Sequence, residues 1–504
     1  MEYIVTENEM KQYDRNTIDF FGILSAVLME RAALAVVDEI TNRNMKRNKV
    51  LILCGCGNNG GDGFAVARLL QQRGSLVTVY FPGNQEKCTE ETIRQIRIYE
   101  KMGGQMTGNL PTSEYDIIID ALFGIGLNRP IENELAESIH LCNQKNAVRI
   151  AVDIPSGIHA DSGKIMGTAF KADITVTFAF KKRGQIFYPG ADYCGELVCR
   201  DIGIFTQSFL GEYPQMYSYQ PDDIEKYLPK RKKDGNKGTF GKILMIAGSV
   251  DMCGACILSG LSAYRSGAGL IRMITPKENR SLLQKKLPEA VLKCFDISDM
   301  ENFSITYEEN VEWADYIAIG PGIGTGKEGE FLVRQLLNKI TNSTGKTILF
   351  DADALNIVAK HQELLEQIRH LMKNEVIFTP HMGEFSRLTG KTISELKDAR
   401  TESVQKYAEE NHLNLVCKDA RTICSDGNKM YVNQSGNEGM ATAGAGDVLT
   451  GIMIALAAQG MHAFEASCLG VFIHGMAGDY AKDNANSYSV MARDIIKQLR
   501  KILV

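Results

Sequence analysis

Two glycine-rich turns carry the residues with the clearest chemical potential. The first, residues 54–63 (CGCGNNGGDG), follows an apolar run and leads into the amphipathic segment FAVARLLQQRG. Glycines permit positive φ and close backbone approach, and the free N–H groups of a helix start attract an anion. This turn therefore predicts a site for a dinucleotide phosphate. The alternative is a strand-to-helix turn without a ligand.

Two further apolar runs in the first half end in polar residues. Asp120 precedes FGIGLNRP (123–130), and Asp153 begins DIPSG. Ligands in open α/β sheets bind at the carboxyl ends of strands, so these segments can converge on one crevice. Asn59, Asp120 and Ser156 could supply oxygen ligands to a cation, while Asp153 could accept a proton. Alternatively, Asp120 and Asp153 only cap helices and satisfy loop amides.

The second turn, residues 439–447 (GMATAGAGD), opens the apolar segment VLTGIMIALAAQG. Amides at such a helix start can stabilise a transferring phosphoryl group, and Asp447 can draw a proton from an alcohol facing it. This layout is typical of a kinase; an aspartate that only complements the helix dipole would not require the small residues before it. Four other strand ends point to the same edge, at residues 320–324, 351–356, 379–384 and 418–422.

Composition places these turns in a globular protein. The 504 residues suggest two or three domains, and 44% are apolar. A net charge of −5 supplies no general basic field, so we expect neither nucleic acid nor membrane as a partner. The start lacks a cationic and apolar leader, and no apolar run is long enough to span a membrane. Twelve scattered cysteines are typical of a reducing cytoplasm.

The elements that position the turns are predicted from alternating apolar runs and amphipathic segments. Near-continuous apolar strands separated by helices indicate parallel sheets covered on both faces, so the fold class is α/β with a Rossmann-like first domain. The periodicity fades between residues 206 and about 238, and we place the domains at 1–215 and 216–504. Strands are predicted at 49–55, 75–81, 115–122, 148–157, 173–178, 196–204, 242–249, 269–275, 315–322, 346–353, 375–380 and 414–419. Helices are predicted at about 7–18, 23–43, 443–459, 462–483 and 488–502.

Two other features imitate functional motifs. Cys253 and Cys256 resemble a redox dithiol at a helix start, but no second cysteine pair supports a zinc site. The run at 230–233 (KRKK) is interpreted as a solvated loop. A lone histidine is usually structural, but His381 is placed at a strand end, where it could meet a ligand.

The motifs together resemble two known families. CGCGNNGGDG, with DALFGIGLNRP and AVDIPSG, closely resembles the NAD(P)H-hydrate epimerases. FGKILMIAGS, GPGIG, DADALN, TPHMGE and GMATAGAGDVLTG resemble the ADP-dependent NAD(P)H-hydrate dehydratases, which have a ribokinase-like fold. The two resemblances cover essentially the whole chain in order, so the chain is similar to the bifunctional NAD(P)H-hydrate repair enzymes.

The resemblance implies a division of chemistry. The N-terminal domain would interconvert the R and S forms of NADH and NADPH hydrated at C6 of the nicotinamide ring. The C-terminal domain would use ADP to phosphorylate the ring hydroxyl of the S form, and elimination would release NAD(P)H, AMP and phosphate. The implied cofactors are K⁺ in the first domain and Mg²⁺ with ADP in the second. The partners we expect are these hydrates and ADP, with assembly as a homo-oligomer.

The resemblance also implies the site residues. The epimerase hydrate would be held by Asn58, Asn59, Gly60, Gly61, Asp62, Gly124, Ile125, Gly126, Leu127, Asn128, Arg129, Pro130 and the catalytic Asp153, with Asn59, Asp120 and Ser156 around K⁺. In the dehydratase Ala255, Gly324, His381 and the catalytic Asp447 would face the hydrate, and Lys418, Asp419, Ala420, Arg421, Thr422 and Gly446 the nucleotide.

Two departures from the family pattern and two other functions stay open. Arg421 replaces the small residue that is usual before the threonine, which bears on nucleotide preference. Lys182 stands in KRG where the family has Lys-Pro-Gly, and it is a second candidate for epimerisation. A ribokinase-like vitamin or sugar kinase would keep Asp447 but release a stable phosphorylated product from ATP. The N-terminal domain could instead be a dinucleotide sensor without catalysis.

Overall fold

The computed structural model describes residues 1–341 and 343–503, with the side chains of all of these except 300–302. It divides into two compact units, Glu2–Gln215 and, together with Met1, Met216–Val504. Both units are mixed α/β structures, as the alternating pattern predicts.

The N-terminal unit has nine strands and seven α-helices among its described residues. The strands are β1 (Glu2–Val5), β2 (Lys49–Cys54), β3 (Leu76–Tyr80), β4 (Gln105–Thr107), β5 (Ile117–Ala121), β6 (Val148–Val152), β7 (Ile174–Phe178), β8 (Lys181–Lys182) and β9 (Glu196–Arg200). The helices are α1 (Glu7–Asp19), α2 (Ser25–Asn42), α3 (Asn58–Gln72), α4 (Glu90–Lys101), α5 (Asn133–Gln144), α6 (Arg183–Ile186) and α7 (Gly190–Cys194).

Seven of these strands form a parallel sheet in the order β4-β3-β2-β5-β6-β7-β9. Every residue of β5 and β7 is buried, as expected for strands of a sheet that is covered on both faces. The order reverses between β2 and β5, which is the position where such sheets bind ligands. The Rossmann-like prediction and its six strands are confirmed. The structure adds β1, β4 and β8, which have only two to four residues each and therefore leave little periodic signal.

The C-terminal unit has ten strands and thirteen α-helices among its described residues. The strands are β10 (Met216–Ser218), β11 (Lys242–Ile246), β12 (Leu270–Pro276), β13 (Val291–Phe295), β14 (Tyr316–Ile319), β15 (Thr347–Phe350), β16 (Glu375–Phe378), β17 (Asn414–Cys417), β18 (Ile423–Ser425) and β19 (Met430–Val432). The helices are α8 (Asp223–Tyr227), α9 (Cys253–Arg265), α10 (Arg280–Lys286), α11 (Met300–Trp313), α12 (Lys327–Ile340), α13 (Asp353–Lys360), α14 (Gln362–Arg369), α15 (Met382–Thr389), α16 (Ile393–Asp398), α17 (Arg400–Asn411), α18 (Ala445–Ala458), α19 (Ala463–Asp483) and α20 (Ala492–Ile502).

These ten strands form one sheet in the order β13-β12-β11-β14-β15-β16-β17-β18-β19-β10. It is parallel as far as β17, and an antiparallel hairpin of β18 and β19 extends it. Within the weakly periodic segment 206–238, β10 pairs with β19 through Met216 and Met430, and α8 follows it. Strands β10, β18 and β19 have three residues each, too few for a periodic signal, and β13 was also missed.

Helix α18 runs through the core of this unit. All its residues from Val448 to Ala458 are buried, and it packs against α9, α19 and the sheet. The three predicted C-terminal helices are confirmed, but α20 begins at Ala492 instead of 488, because Tyr488 is fully exposed in the turn before it. Among the described residues, no helix combines the length and the apolar character needed to cross a bilayer.

Candidate active sites

A cavity of about 1060 Å³ lies in the N-terminal unit, at the edge where β2, β5, β6 and β7 end. Its wall contains most of the residues predicted to hold the hydrate: Asn58, Asn59, Asp62, Gly124, Ile125, Gly126, Leu127, Asn128, Arg129 and Asp153. Gly60, Gly61 and Pro130 do not line it; the two glycines lie buried in the first turn of α3. Its walls are largely apolar, with a few polar groups, as in most small-molecule sites.

Glycines close the end of β2 against its neighbours. A Cβ at Gly55 would lie 1.9 Å from the Leu122 carbonyl oxygen, and one at Gly60 would lie 1.9 Å from the Gly55 oxygen. Gly57 is the N-cap of α3 and provides no capping side chain, so N–H groups of its first turn stay available. The turn therefore has the uncapped amides that the predicted anion site requires.

Asp153 is held by a buried lysine. It follows β6 with φ of 63°, a left-handed conformation that costs a non-glycine residue about 1–3 kcal/mol. Its Oδ1 accepts hydrogen bonds from Lys182 Nζ and, at 3.1 Å, from Thr177 Oγ1. Lys182 has no exposed surface, and its Nζ also donates to Thr177 Oγ1 at 2.9 Å and to the Phe178 carbonyl at 3.3 Å. The structure thus joins both candidates for epimerisation in one ion pair.

Two further carboxyl groups face the same cavity. Burial, and then the charges of Asp153 and Asp14, raise the pKa of Asp62 well above its usual range. Burial and Asp153 also raise the pKa of Asp14, a residue of α1 that the sequence analysis missed. Burial and a neighbouring negative charge both disfavour the ionised form of a carboxyl group. The cavity therefore holds two carboxyl groups with raised pKa values near the Asp153–Lys182 pair.

Asp120 and Ser156 lie in contact, as the predicted cation site requires. Ser156 Oγ donates to Asp120 Oδ1 at 2.6 Å, and its backbone N–H donates to Oδ2 at 2.7 Å. Burial raises the pKa of Asp120 to about 6 despite these bonds. Asn59 is buried with both side-chain polar atoms unpartnered, and a Cβ on Gly124 would lie 3.2 Å from its Cβ. The site thus combines a buried amide without a hydrogen-bond partner, a buried carboxyl group whose ionisation is unfavourable, and a hydroxyl group.

In the C-terminal unit, Asp447 stands in the first turn of α18. The helix follows Gly444, whose φ of 86° suits glycine, and no side chain caps it. Among the described residues, no group donates a hydrogen bond to the Asp447 carboxylate. Burial, and then the charges of Asp351 and Asp353, raise its pKa to about 7, although Lys418 opposes this. A carboxylate with a pKa near neutrality suits a general base.

A buried network places a cation beside this helix start. Lys418 Nζ donates to Asp351 Oδ1 at 2.7 Å, and the hydroxyls of Thr379 and Thr450 also donate to Asp351. Burial disfavours the lysine charge, but Asp351 and other carboxylates outweigh it and raise the Lys418 pKa. A Cβ on Gly446 would lie 3.5 Å from Nζ. Lys418 and Gly446 are therefore neighbours, as their assignment to one nucleotide site requires.

The other predicted hydrate residues lie on neighbouring loops. Gly324 donates its backbone N–H to Asp353 Oδ2 at 2.9 Å. Ala255, in the first turn of α9, lies against the GPGIG loop, where a Cβ on Gly322 would be 3.0 Å from its own. His381 caps α15, its Nδ1 accepting from the Gly383 N–H at 2.9 Å, and its ring is about half exposed. His381 therefore has a structural role at the start of α15, its Nε2 lies 3.5 Å from Glu384 Oε1, and about half of the ring is exposed.

The segment 418–422 divides into two parts. Lys418 directly follows β17 and its Nζ lies near Gly446, whereas the next residues form the turn to β18. Asp419 and Ala420 are exposed, Arg421 Nη1 donates to the Gln434 carbonyl at 3.4 Å, and Thr422 is buried. The lysine end of this segment therefore lies beside the start of α18.

Cys256 of the possible dithiol and Arg231 of the basic run both make structural contacts. Cys256 is buried, its thiol donates to the Ala247 carbonyl at 2.8 Å, and burial raises its pKa to about 12. It is therefore a poor nucleophile. Arg231 of the basic run donates to the Gly267 carbonyl at 2.9 Å and stacks on Phe240 at 3.8 Å.

Comparisons with known proteins match both halves of the chain. A family described as NAD(P)H-hydrate dehydratase matches residues 243–501, and one described as YjeF-related protein N-terminus matches residues 25–184. A ribokinase-like superfamily protein of Enterococcus faecalis V583 has 26% identity and a TM-score of 0.51, covering 57% of this chain and 97% of that one. It confirms the ribokinase-like fold of the C-terminal unit.

Two relatives match nearly full length. The bifunctional NAD(P)H-hydrate repair enzyme Nnr of Moorella thermoacetica is 35% identical over 99% of this chain and 96% of its own. The enzyme of the same name from Escherichia coli K12 is 32% identical, over 98% of this chain and 93% of its own. The chain therefore belongs to the family of the bifunctional NAD(P)H-hydrate repair enzymes.

Proposed function

We propose that the chain repairs hydrated NADH and NADPH in two steps. The N-terminal domain, 1–215, interconverts the R and S hydrates, and the C-terminal domain, 216–504, returns the S hydrate to NAD(P)H with ADP, releasing AMP and phosphate. The observation that carries the proposal is that each domain sets one aspartate, Asp153 or Asp447, beside a glycine-rich helix start. Such a start binds phosphate while the carboxylate moves a proton.

Asp447 is the base of the dehydration. It takes the proton of the C6 hydroxyl, and the hydroxyl oxygen forms a bond to the β-phosphorus of ADP while the bond to the AMP oxygen breaks. Loss of phosphate from C6, with a proton from the neighbouring ring carbon, then gives the reduced nicotinamide. A pKa near 7 lets the carboxylate be ionised at neutral pH and still accept the proton.

The groups around Asp447 fit a nucleotide phosphate. The amides of residues 444–446 and the Lys418 ammonium supply positive potential where charge develops on the transferring group. No cluster of three His, Cys, Asp or Glu among the described residues is suited to holding a metal by itself. We expect Mg²⁺ to be bound mainly through phosphates and water, with the Asp353 carboxylate close to the site. When bound, the ion would neutralise phosphate charge.

Asp153 is the proton-transfer group of the epimerase. Inversion at C6 requires a bond to the ring nitrogen or to the hydroxyl oxygen to break and reform, and either route needs a proton donor and an acceptor. Lys182 holds Asp153 in place, and burial together with the Asp153 charge raises the pKa values of Asp62 and Asp14, which favours these two groups as proton donors. We assign the donor role to these two groups.

Asn59, Asp120 and Ser156 fit a potassium ion. The Asn59 carbonyl oxygen is buried without a partner, and Asp120 is a buried carboxyl whose pKa of about 6 would fall beside a cation. Oxygen donors of this kind bind alkali ions. The ion would hold the turns after β2, β5 and β6 in register and would take no part in proton transfer.

The cysteines bear on the cellular compartment in which the chain acts. All twelve cysteines are free thiols, which supports a reducing cytoplasm as the place of action.

The test follows the return of reduced-nicotinamide absorbance with the full chain, ADP and Mg²⁺, from purified R or S hydrate. The parent is expected to consume both epimers. The Asp153→Asn variant should consume only the S form, at the parent rate. The Asp447→Asn variant should consume neither epimer. Consumption of the R form by Asp153→Asn at the parent rate would make the epimerase assignment wrong. A stable phosphorylated product from ATP would identify a kinase.

A further inference from the structure

Two cysteines meet at the wall of the epimerase cavity. Cys56 lies in the glycine-rich turn between β2 and α3, and Cys88 lies just before α4. Both thiols point at one acceptor, the Asn84 carbonyl oxygen, with S···O distances of 3.6 and 3.7 Å. They therefore form a neighbouring pair although 31 residues separate them in the chain.

The backbone is built to bring the pair together. The Thr89 N–H donates to the Cys56 carbonyl at 3.1 Å, so the two segments are joined beside the thiols. Gly83 leaves the space for the Cys56 sulfur, since a Cβ there would lie 2.4 Å from it. Cys56 lines the cavity, as do Lys87 and Thr89 on either side of Cys88. Both cysteines are partly exposed, so a small molecule can reach them.

A second thiol pair in the chain provides the contrast. Cys424 and Cys468 are also close enough for Cys424 to raise the pKa of Cys468, but neither cysteine has exposed surface. A soluble oxidant cannot reach them, and a buried thiol stays protonated. Partial exposure and a shared acceptor are thus what distinguish Cys56 and Cys88.

We propose that Cys56 and Cys88 form a reversible disulfide that switches the epimerase off, and the reagent is a small-molecule disulfide such as glutathione disulfide. The Cys56 thiolate attacks one sulfur of the reagent, forming a mixed disulfide and releasing one thiolate. Cys88 then loses its proton and attacks the Cys56 sulfur, which closes the internal disulfide and releases the second thiol. The protein loses two electrons and two protons, and the reagent gains them as two thiols.

The order of attack follows from the environment of each thiol. Burial, and then the neighbouring Cys56 thiol, raise the pKa of Cys88 to about 11, so Cys88 is a thiol at neutral pH. Cys56 stands in the cavity wall between two glycines, where the incoming reagent has access. Cys56 is therefore the attacking residue and Cys88 the resolving one.

Closing the bond disturbs the hydrate site, and this part of the inference rests on the proposed function. Two sulfurs must approach to about 2 Å, which pulls on Gly57 and on the start of α3, where Asn58 and Asn59 line the cavity. Displacements near 1 Å in a positioned site can cost ~10²-fold in rate. We expect at least a tenfold loss of epimerase activity, with dehydration of the S hydrate unchanged.

The experiment incubates the full chain with glutathione disulfide, maps disulfides by mass spectrometry under non-reducing conditions, and measures both activities. We expect a linked Cys56–Cys88 peptide and the loss of two titratable thiols. Epimerisation should become at least tenfold slower, and dithiothreitol should restore the epimerase rate. Cys88→Ser should keep the untreated epimerase rate and form no internal disulfide. Cys468→Ala, the matched control, should respond like the parent.

The outcomes separate the thiol chemistry from the proposed function. Absence of the linked peptide at full oxidation overturns the thiol pair, whatever the enzyme does. A linked peptide with an unchanged epimerase rate overturns the switch. A chain that forms the disulfide but never epimerises, even when reduced, overturns both the switch and the epimerase assignment, whereas the disulfide map still stands.

Discussion

Replacing Asp447 with asparagine should lower the dehydration rate and, at the same time, raise the stability of the fold. The Asp447 carboxyl has a pKa of about 7, against 3.8 for an unperturbed aspartate. Ionising it therefore costs the native state up to about 4 kcal/mol at alkaline pH, relative to an unfolded chain in which it is already ionised. Asparagine removes this cost and nearly preserves the shape, but it cannot take the proton.

The sign of the pH dependence follows from the raised pKa. The folded chain binds the proton more tightly than the unfolded chain, so the contribution of this group to stability is full below pH 4 and is lost as pH rises to about 7. Asp447→Asn should therefore match the parent near pH 4 and exceed it in unfolding temperature at pH 8. The dehydration rate should fall by ~10²–10⁴.

The assay combines calorimetric unfolding at pH 4 and pH 8 with rates from the S hydrate, ADP and Mg²⁺. The parent rate should rise with pH through about 7, and the residual rate of the variant should not. Asp234→Asn, which removes a charge from an exposed loop, is the control and should change neither quantity. Equal unfolding temperatures of parent and Asp447→Asn at pH 8, or a parent-like rate, would refute the reasoning.

Three further variants test the rest of the two sites. Asp153→Asn, which keeps an oxygen for Lys182, should slow exchange of the epimers by ~10²–10⁴ in an NMR assay and leave S-hydrate dehydration intact. Lys418→Met strands the buried Asp351 carboxylate, so urea unfolding should show a loss of about 3–5 kcal/mol, partly recovered by adding Asp351→Asn. Ser156→Ala should weaken the dependence of epimerisation on KCl, measured against tetramethylammonium chloride; an unchanged dependence would move the potassium site elsewhere.

The glycine-rich turns could be predicted from sequence because their signal is local. Gly55 and Gly60 are required by contacts within two adjacent turns, and the helix start follows them directly along the chain. The strand ends at Asp120 and Asp153 were predictable for the same reason, since Asp120 is the fourth residue of the buried strand β5 and Asp153 directly follows β6, whose last three residues are buried.

Residues that reach a site from elsewhere in the chain could not be found this way. Asp14 lies on an ordinary amphipathic helix, and only the tertiary fold turns it towards the cavity. The pairing of Lys418 with Asp351 spans 67 residues and depends on β16 lying between β15 and β17. Strand order is a property of the whole sheet, and no local pattern encodes it.

The buried Asp153–Lys182 pair has a consequence for how this sequence can evolve. A mutation that removes only the carboxylate leaves an ammonium group with no exposed surface and no counter-charge, and a mutation that removes only the lysine strands the carboxylate. Each single substitution therefore lowers stability as well as activity. Evolutionary loss of the pair must therefore pass through a less stable intermediate with one substitution, or both residues must change together. The fold thus shields the epimerase residue from gradual loss, even in a lineage that no longer selects for the activity.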